Sequence, residues 1–321
     1  MKKQTGTDQF IEIARASARV RNVVNPTPLI KSKYFSGDDT GIFYKMENLN
    51  PTGSFKLRGA ANKILSMTEA EREKGVVTAS TGNHGVAVGY MCKLTGCKGT
   101  VFAPSDVSDA KYKGMISYGL EVIKTEGDPI NGEIAARKFA KERKIPFVSP
   151  YNDIHIVGGQ GTIGFELFSE IQDLDAVYVA LGGGGLMSGV SIAMANLSPK
   201  TKVIACSPTN SKVMMDSIPA GEVLDLPSLP TLSDGTAGGV ETGSITFDYC
   251  RDYVDDYVDV SEEELKEGLR IFIDDTNTIG EGAVGVAVAG YLRQKAKWDG
   301  KKVAIIACGG NISRKTLKDI L

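Results

Sequence analysis

The feature that most constrains this chain is a recurring order of short β-rich apolar runs followed by helical patterns. The runs fall at residues 76–80, 100–103, 122–124, 147–149, 177–181, 203–206 and 303–307. Helical patterns lie between them, at 131–143, 261–274 and 283–297 among others. The second opens on Ser261 with Glu264 three places on, which is a capping box. Strand–helix alternation predicts an α/β fold: parallel twisted sheets flanked by helices. In such sheets ligands bind beyond the carboxyl ends of the strands. Three segments rich in glycine or hydroxyl residues sit at such ends: 80–85, 182–185 and 308–311.

Composition narrows the classes. The chain has 321 residues, 42% hydrophobic and 24% charged, enough for about two domains. The four strand–helix units within residues 51–150 predict a small domain, with 1–50 and 151–321 forming a large one. A formal net charge of −2 leaves no electrostatic footprint for nucleic acid or an anionic membrane. No apolar run approaches the roughly 20 residues needed to cross a bilayer. The first residues carry two lysines with no apolar stretch behind them, unlike a secretory signal. Five cysteines with no CxxC pair argue against a disulfide scaffold, so a reduced, cytoplasmic setting is expected. Two histidines, His84 and His155, and no His/Cys/carboxylate cluster make no metal site.

Four segments carry chemistry. In Asn50-Pro51-Thr52-Gly53-Ser54-Phe55-Lys56-Leu57-Arg58-Gly59-Ala60, Lys56 follows a Pro/Gly turn and precedes a helix over 59–65. Read alone it is an ordinary solvated lysine. Desolvated at a cleft, the same amine has a lowered pKa and forms Schiff bases. In Ala79-Ser80-Thr81-Gly82-Asn83-His84-Gly85, small residues admit close approach of a ligand to the backbone, and hydroxyls and an amide direct hydrogen bonds. The plainer reading is a helix N-cap turn, since Ser, Thr and Asn all cap helices. Gly182-Gly183-Gly184-Gly185-Leu186 exposes several N–H groups at a positive helix end, which suits phosphate. It has neither the GxxxxGK[ST] nor the GxGxxG spacing, so neither a nucleotide triphosphate nor a dinucleotide is expected. Cys308-Gly309-Gly310-Asn311 closes the last apolar run, with no basic neighbour in sequence to activate the thiol.

Taken together and in this order, SFKLRGA, STGNHG, GGGGL and CGGN resemble the fold-type II pyridoxal-5′-phosphate (PLP) enzymes, and among them the serine/threonine dehydratase (ammonia-lyase) and serine racemase group. The resemblance runs from Pro26-Thr27-Pro28-Leu29 to Asn311. It implies a two-domain enzyme of the tryptophan synthase β type in which Lys56 holds PLP as a Schiff base and acts as base at the substrate Cα. It further implies that Phe55 covers one face of the pyridine ring and that Asn83 hydrogen-bonds the ring hydroxyl. Gly182, Gly183, Gly184, Gly185 and Leu186 would supply N–H groups to the phosphate. Cys308 would face the pyridine nitrogen, with Glu281 near the cofactor. Ser80, Thr81 and His84 would hold the substrate carboxylate, and a homodimer is the family habit.

A neutral thiol cannot keep the pyridine nitrogen protonated as an aspartate would. The ring is then a milder electron sink, which suits β-elimination better than transamination. The expected reaction is loss of water from a β-hydroxy amino acid such as threonine or serine, giving a 2-oxo acid and ammonia. β-Replacement, threonine synthesis and non-catalytic binding of a phosphate ligand are the competing readings.

The chain also departs from the family. The glutamate and aspartate that bind a divalent cation in some members are absent from Ser207-Pro208-Thr209-Asn210-Ser211-Lys212-Val213. Thr81 stands where racemases place a serine as second acid/base, and its β-branched side chain restricts χ1. Racemisation is therefore an alternative activity. The segment 234–243, with Gly235 and Glu241, is expected to face the substrate side chain. There Glu241 is either a surface acid or a determinant that admits a larger substrate, such as a phenylserine-like, hydroxyectoine-derived or 3-hydroxyaspartate-type amino acid. The substitution Glu241→Ala separates these: an unchanged ranking of kcat/KM across β-hydroxy amino acids marks a surface acid.

Overall fold

The computed structural model describes residues 7–105, 107, 109–127 and 129–321. The start of the chain considered above for a leader, residues 1–6, lies outside these. Among the described residues, ten strands form two sheets. The strands are β1 (Leu29–Lys31), β2 (Gly41–Lys45), β3 (Val76–Ala79), β4 (Gly99–Pro104), β5 (Glu121–Thr125), β6 (Phe147–Val148), β7 (Ala176–Ala180), β8 (Lys202–Pro208), β9 (Asp256–Val260) and β10 (Lys302–Ile306). The six-stranded sheet runs β1-β2-β10-β7-β8-β9, parallel except for the β1/β2 pair. The four-stranded sheet runs β5-β4-β3-β6 and is wholly parallel. Every residue of β3 and β7 is buried. That explains why these strands read as unbroken apolar runs: helices cover both faces. Edge strand β5 reads Glu-Val-Ile-Lys-Thr and leaves Glu121 and Lys124 exposed. Among the described residues no helix is long and apolar enough to cross a membrane.

Strand order reverses once in each sheet. From β7 the chain winds outward through β8 and β9, while β10 lies on the other side of β7. From β3 it winds through β4 and β5, while β6 lies on the other side of β3. Connections leave in opposite directions at such a reversal and open a crevice at the carboxyl ends. The four segments that follow β7, β10, β3 and β6 therefore all border crevices.

Between the sheets lies the helix Lys56–Ser66, crossed by the helix Ile154–Glu170. A Cβ on Gly159 would sit 2.6 Å from the Cα of Gly59, so only glycine permits so close a crossing. Beneath this crossing is a buried ionic network. Arg58, 1% exposed, donates from Nε to Glu47 Oε2 at 2.7 Å and from Nη2 to Glu47 Oε1 at 2.8 Å. The same guanidinium reaches Glu166 Oε2 at 2.9 Å and Thr162 Oγ1 at 3.0 Å. Lys45, fully buried at the end of β2, donates to the carbonyl of Thr27 at 2.7 Å and lies 2.8 Å from Glu166. Burial works against both charges of the Arg58–Glu47 pair, yet each partner's attraction outweighs it: Glu47 is held below the usual carboxylate range and Arg58 above its own.

Several elements differ from the sequence pattern. The helix expected from residue 59 begins at Lys56, and the one in the 80–85 segment begins at Asn83. The capping box at Ser261 and Glu264 forms, opening Glu262–Thr276. The helix Ile154–Glu170 is not signalled by periodicity, because it is buried on nearly all sides and interrupted by four glycines. β1, β2 and β9 are likewise found only in the structure.

Removing one member of a buried charge network strands the other. Arg58→Met is expected to lower unfolding free energy by about 3–5 kcal/mol, read as a shift of the urea midpoint at unchanged slope. A loss below about 1 kcal/mol would mean that the network does not brace the fold.

Candidate active site

One cavity opens where the strand-end segments of both sheets meet. Helix Lys56–Ser66 presents Phe55 and Lys56 to it. The approach to that helix is pinned from the far end of the chain: Phe55 N donates to Cys308 O at 3.0 Å, and Ser54 bridges to Gly309. Lys56 is enclosed, and its Nζ donates to the carbonyl of Pro150 at 2.8 Å. Burial dominates its titration and pulls the ammonium down to about 8, although the carboxylates of Glu133 and Glu281 favour the charge. The Phe55 ring centroid lies 5.3 Å from Nζ.

The segment after β3 brings Ser80, Thr81, Asn83 and His84 to the cavity. Ser80 Oγ accepts from the amides of Gly82 at 2.9 Å and Gly85 at 2.8 Å, so this hydroxyl shapes the turn. His84 is buried, and its Nε2 lies 3.2 Å from the carbonyl of Val148. A carbonyl can only accept, which assigns the proton to Nε2. Burial first and Lys56 second push the imidazolium down to about 3, so His84 is neutral and brings no positive charge.

Asn83 sits in a relay of amides and a carboxylate. Its Nδ2 donates to both oxygens of Glu281 at 2.9 Å. Its Oδ1 accepts from Asn311 Nδ2 at 2.8 Å, which also donates to Thr52 O at 2.9 Å. Burial raises the Glu281 carboxyl, against the lowering effect of Asn83. Both orientations of the Asn83 amide are thus fixed by neighbours.

After β7, Gly182, Gly183, Gly184, Gly185 and Leu186 line the cavity and lead into the helix Gly185–Leu197. Gly184 has φ +86°, and a Cβ on Gly183 would sit 2.6 Å from the Tyr151 ring, so side chains are excluded here by conformation and by space. After β10, Cys308 is 2% exposed, and burial, reinforced by Glu281, pushes its thiol well up. It is a neutral thiol. Gly235 reaches the cavity near Glu281, whereas Glu241 is not brought to the cavity wall. Glu241 instead accepts from Arg137 Nη2 at 2.7 Å and Asn152 Nδ2 at 2.6 Å. Among the described residues there is no cluster of three metal-ligating side chains.

The cavity also holds residues the sequence did not single out. Tyr151, Glu133 and Lys111 line it. Tyr151 follows β6, and its position at a strand's carboxyl end was the available signal, but a two-residue strand is a faint one. Glu133 and Lys111 come from helices of the four-stranded sheet and carry no motif.

The pieces fit a phosphorylated pyridine aldehyde. An enclosed amine of lowered pKa can take the aldehyde. A glycine-only turn at a helix N-terminus suits the phosphate. A neutral thiol and an apolar ring suit the heterocycle. This chain belongs to the pyridoxal-phosphate dependent enzyme family, whose description matches residues 20–309. It is similar to the L-threonine ammonia-lyase of Thermotoga maritima, 38% identical over 97% of this chain and 77% of that protein. It is also similar to the catabolic L-threonine dehydratase of Escherichia coli, 36% identical over 96% of this chain and 94% of that protein. The crystal structure of serine racemase from Dictyostelium discoideum superposes with a TM-score of 0.86 at 33% identity, covering 94% of this chain and 98% of that one.

If burial sets the Lys56 amine, cofactor-free protein should be methylated at Lys56 by formaldehyde and borohydride with a midpoint near pH 8. The neutral amine is the nucleophile and gains population as pH rises through its pKa. Peptide mapping across pH reads this, and a midpoint near the ordinary lysine value would show that the surroundings do not desolvate the ammonium.

Proposed function

We propose that this enzyme eliminates water from a β-hydroxy amino acid, with L-threonine and L-serine as the first candidates, releasing a 2-oxo acid and ammonia. The observation that carries this reading is the pairing of an enclosed low-pKa amine, Lys56, with a neutral thiol, Cys308, in one cavity. The names of two relatives, an L-threonine ammonia-lyase and an L-threonine dehydratase, support the substrate class. When bound, pyridoxal phosphate supplies an aldehyde for the substrate's amino group and a ring that draws electrons from the bond being broken.

The chain's own residues do the rest. The amides from Gly182 to Leu186 and the start of their helix hold the phosphate. Phe55 covers the ring and excludes water. Asn83, oriented by Glu281 and Asn311, meets the ring hydroxyl. The turn after Ser80, with the Thr81 hydroxyl, holds the substrate carboxylate through directed donors, since His84 is neutral. Lys56 Nζ takes the Cα proton, the Cβ–O bond breaks, and the same ammonium returns that proton to the departing hydroxyl, which leaves as water. Cys308 keeps the nitrogen end of the ring unprotonated, so charge leaves with the β-substituent instead of accumulating. The released enamine becomes an imine and hydrolyses to the 2-oxo acid and ammonia. In this reading residues 51–150 form the smaller lobe, 1–50 and 151–321 the larger, and two copies associate as a homodimer.

A second reading is racemisation of the same substrate class. It is favoured by Thr81, whose hydroxyl-bearing side chain lines the cavity with Lys56, and by the likeness to a serine racemase. Thr81→Ala separates the two: elimination continues with a raised KM, from the weakened hold on the carboxylate, while exchange between enantiomers, followed by chiral chromatography, is lost.

The test is 2-oxo acid release from L- and D-serine, threonine, phenylserine and 3-hydroxyaspartate. Equimolar 2-oxo acid and ammonia are expected from L-threonine or L-serine, and Lys56→Ala should slow release by about 10²–10⁴-fold. Borohydride should fix the cofactor on the Lys56 peptide. No 2-oxo acid from any of these, or full activity without Lys56, refutes the reading.

A further inference from the structure

Residues 222–244 carry no helix or strand, and part of this segment forms one wall of the cavity. Structureless segments of such length in compact proteins are commonly functional. On the side of the six-stranded sheet the wall is seated by neutral contacts. Gly182 closely abuts the backbone of Thr236, and Gly238 N donates to Ser211 Oγ at 3.2 Å. Across the cavity mouth the contacts are of another kind. Lys111, on the helix Asp109–Ser117, runs its stem over Gly82 and pairs with Asp234. Arg137, on the helix Pro129–Arg143, pairs with Glu241 at 2.7 Å while its guanidinium lies 4.4 Å from the Phe147 ring centroid. Two cations from two helices of the four-stranded sheet thus grip both ends of the segment 234–241, whose residues 234–239 line the cavity.

We propose that Lys111–Asp234 and Arg137–Glu241 form an electrostatic clasp that holds the 234–241 segment against the four-stranded sheet and so positions the 234–239 wall for an amino-acid substrate. Both pairs reach solvent: Asp234 is 58% exposed, and Arg137 and Glu241 are 35% and 26% exposed. Pairs of this kind are weak one at a time and screened by salt, which suits contacts that must part when substrate enters and product leaves. Lys111 is the sharper half. Its ammonium bridges the mouth from the Gly82 turn, the segment assigned above to the substrate carboxylate, to the opposite wall. The inference rests on the reading of this cavity as the PLP site.

The test is a charge swap in the holoenzyme, with hydrogen exchange of the 234–241 amides as a readout independent of turnover. Lys111→Asp and Asp234→Lys should each speed exchange in that segment and raise KM for L-threonine or L-serine by about 3- to 10-fold. The double variant should restore both. Lys111→Met, which keeps the stem over Gly82, should match the single reversals in sign with a smaller effect. Raising NaCl should increase the wild-type KM and leave that of Lys111→Met less affected. Unchanged exchange in the single variants, or a double variant no better than either, overturns the clasp. Loss of cofactor from Lys56 in the wild type would instead sink the site reading, so the two failures are distinct.

Discussion

The buried Arg58–Glu47–Glu166 network is the constraint on which the arrangement depends. Arg58 belongs to the helix that begins with Lys56, Glu47 follows β2, and Glu166 belongs to the helix that crosses over them. A guanidinium has a fixed fork of donors, and here the cation and its partners come from three separate stretches of chain. Each stretch must therefore be in place for the charges to be met. Because Arg58 is two residues from Lys56, the geometry that satisfies the network also fixes where the Lys56 amine emerges. Lys45 adds a second cation on the Glu166 side, so charge is matched within the buried space.

Around this anchor, burial controls titration. The same exclusion of water that brings the Lys56 amine down to about 8 also strips His84 of its charge and keeps Cys308 protonated. Three groups that could all be ionic near neutrality in water are thereby held mostly neutral or poised. The lysine is poised because Glu133 and Glu281 partly offset its desolvation. A base that must both release and take up protons works best near the ambient pH.

Much of this was legible in the sequence, for definite reasons. Parallel strands covered on both faces read as apolar runs, and the turns beyond them are marked by glycine and hydroxyl residues. Lys56, Asn83, the 182–185 turn and Cys308 lie at strand or helix ends and do share one cavity. What could not be read were contacts between distant segments with no local signature. Nothing adjacent in sequence links Asn83 to Glu281, or Arg137 to Glu241. Glu241, a residue of the expected substrate loop, turned out to point at Arg137 and Asn152. The helix Ile154–Glu170 was hidden because its glycines, needed for close packing, erase the amphipathic pattern.

The position of β10 has a bearing on how the molecule is made. It is the last strand in the chain, yet it lies inside the larger sheet, hydrogen-bonded to β2 on one side and β7 on the other. Until it inserts, those two strands have no common neighbour, and Phe55 lacks the carbonyl of Cys308 that fixes the turn into the Lys56 helix. Closing contacts across some 250 residues is slow compared with forming local helices. During synthesis the four-stranded sheet, whose strands span residues 76–148, can assemble well before that. The cavity that holds Lys56 is therefore among the last parts to form, and its completion reports that the whole larger sheet has closed.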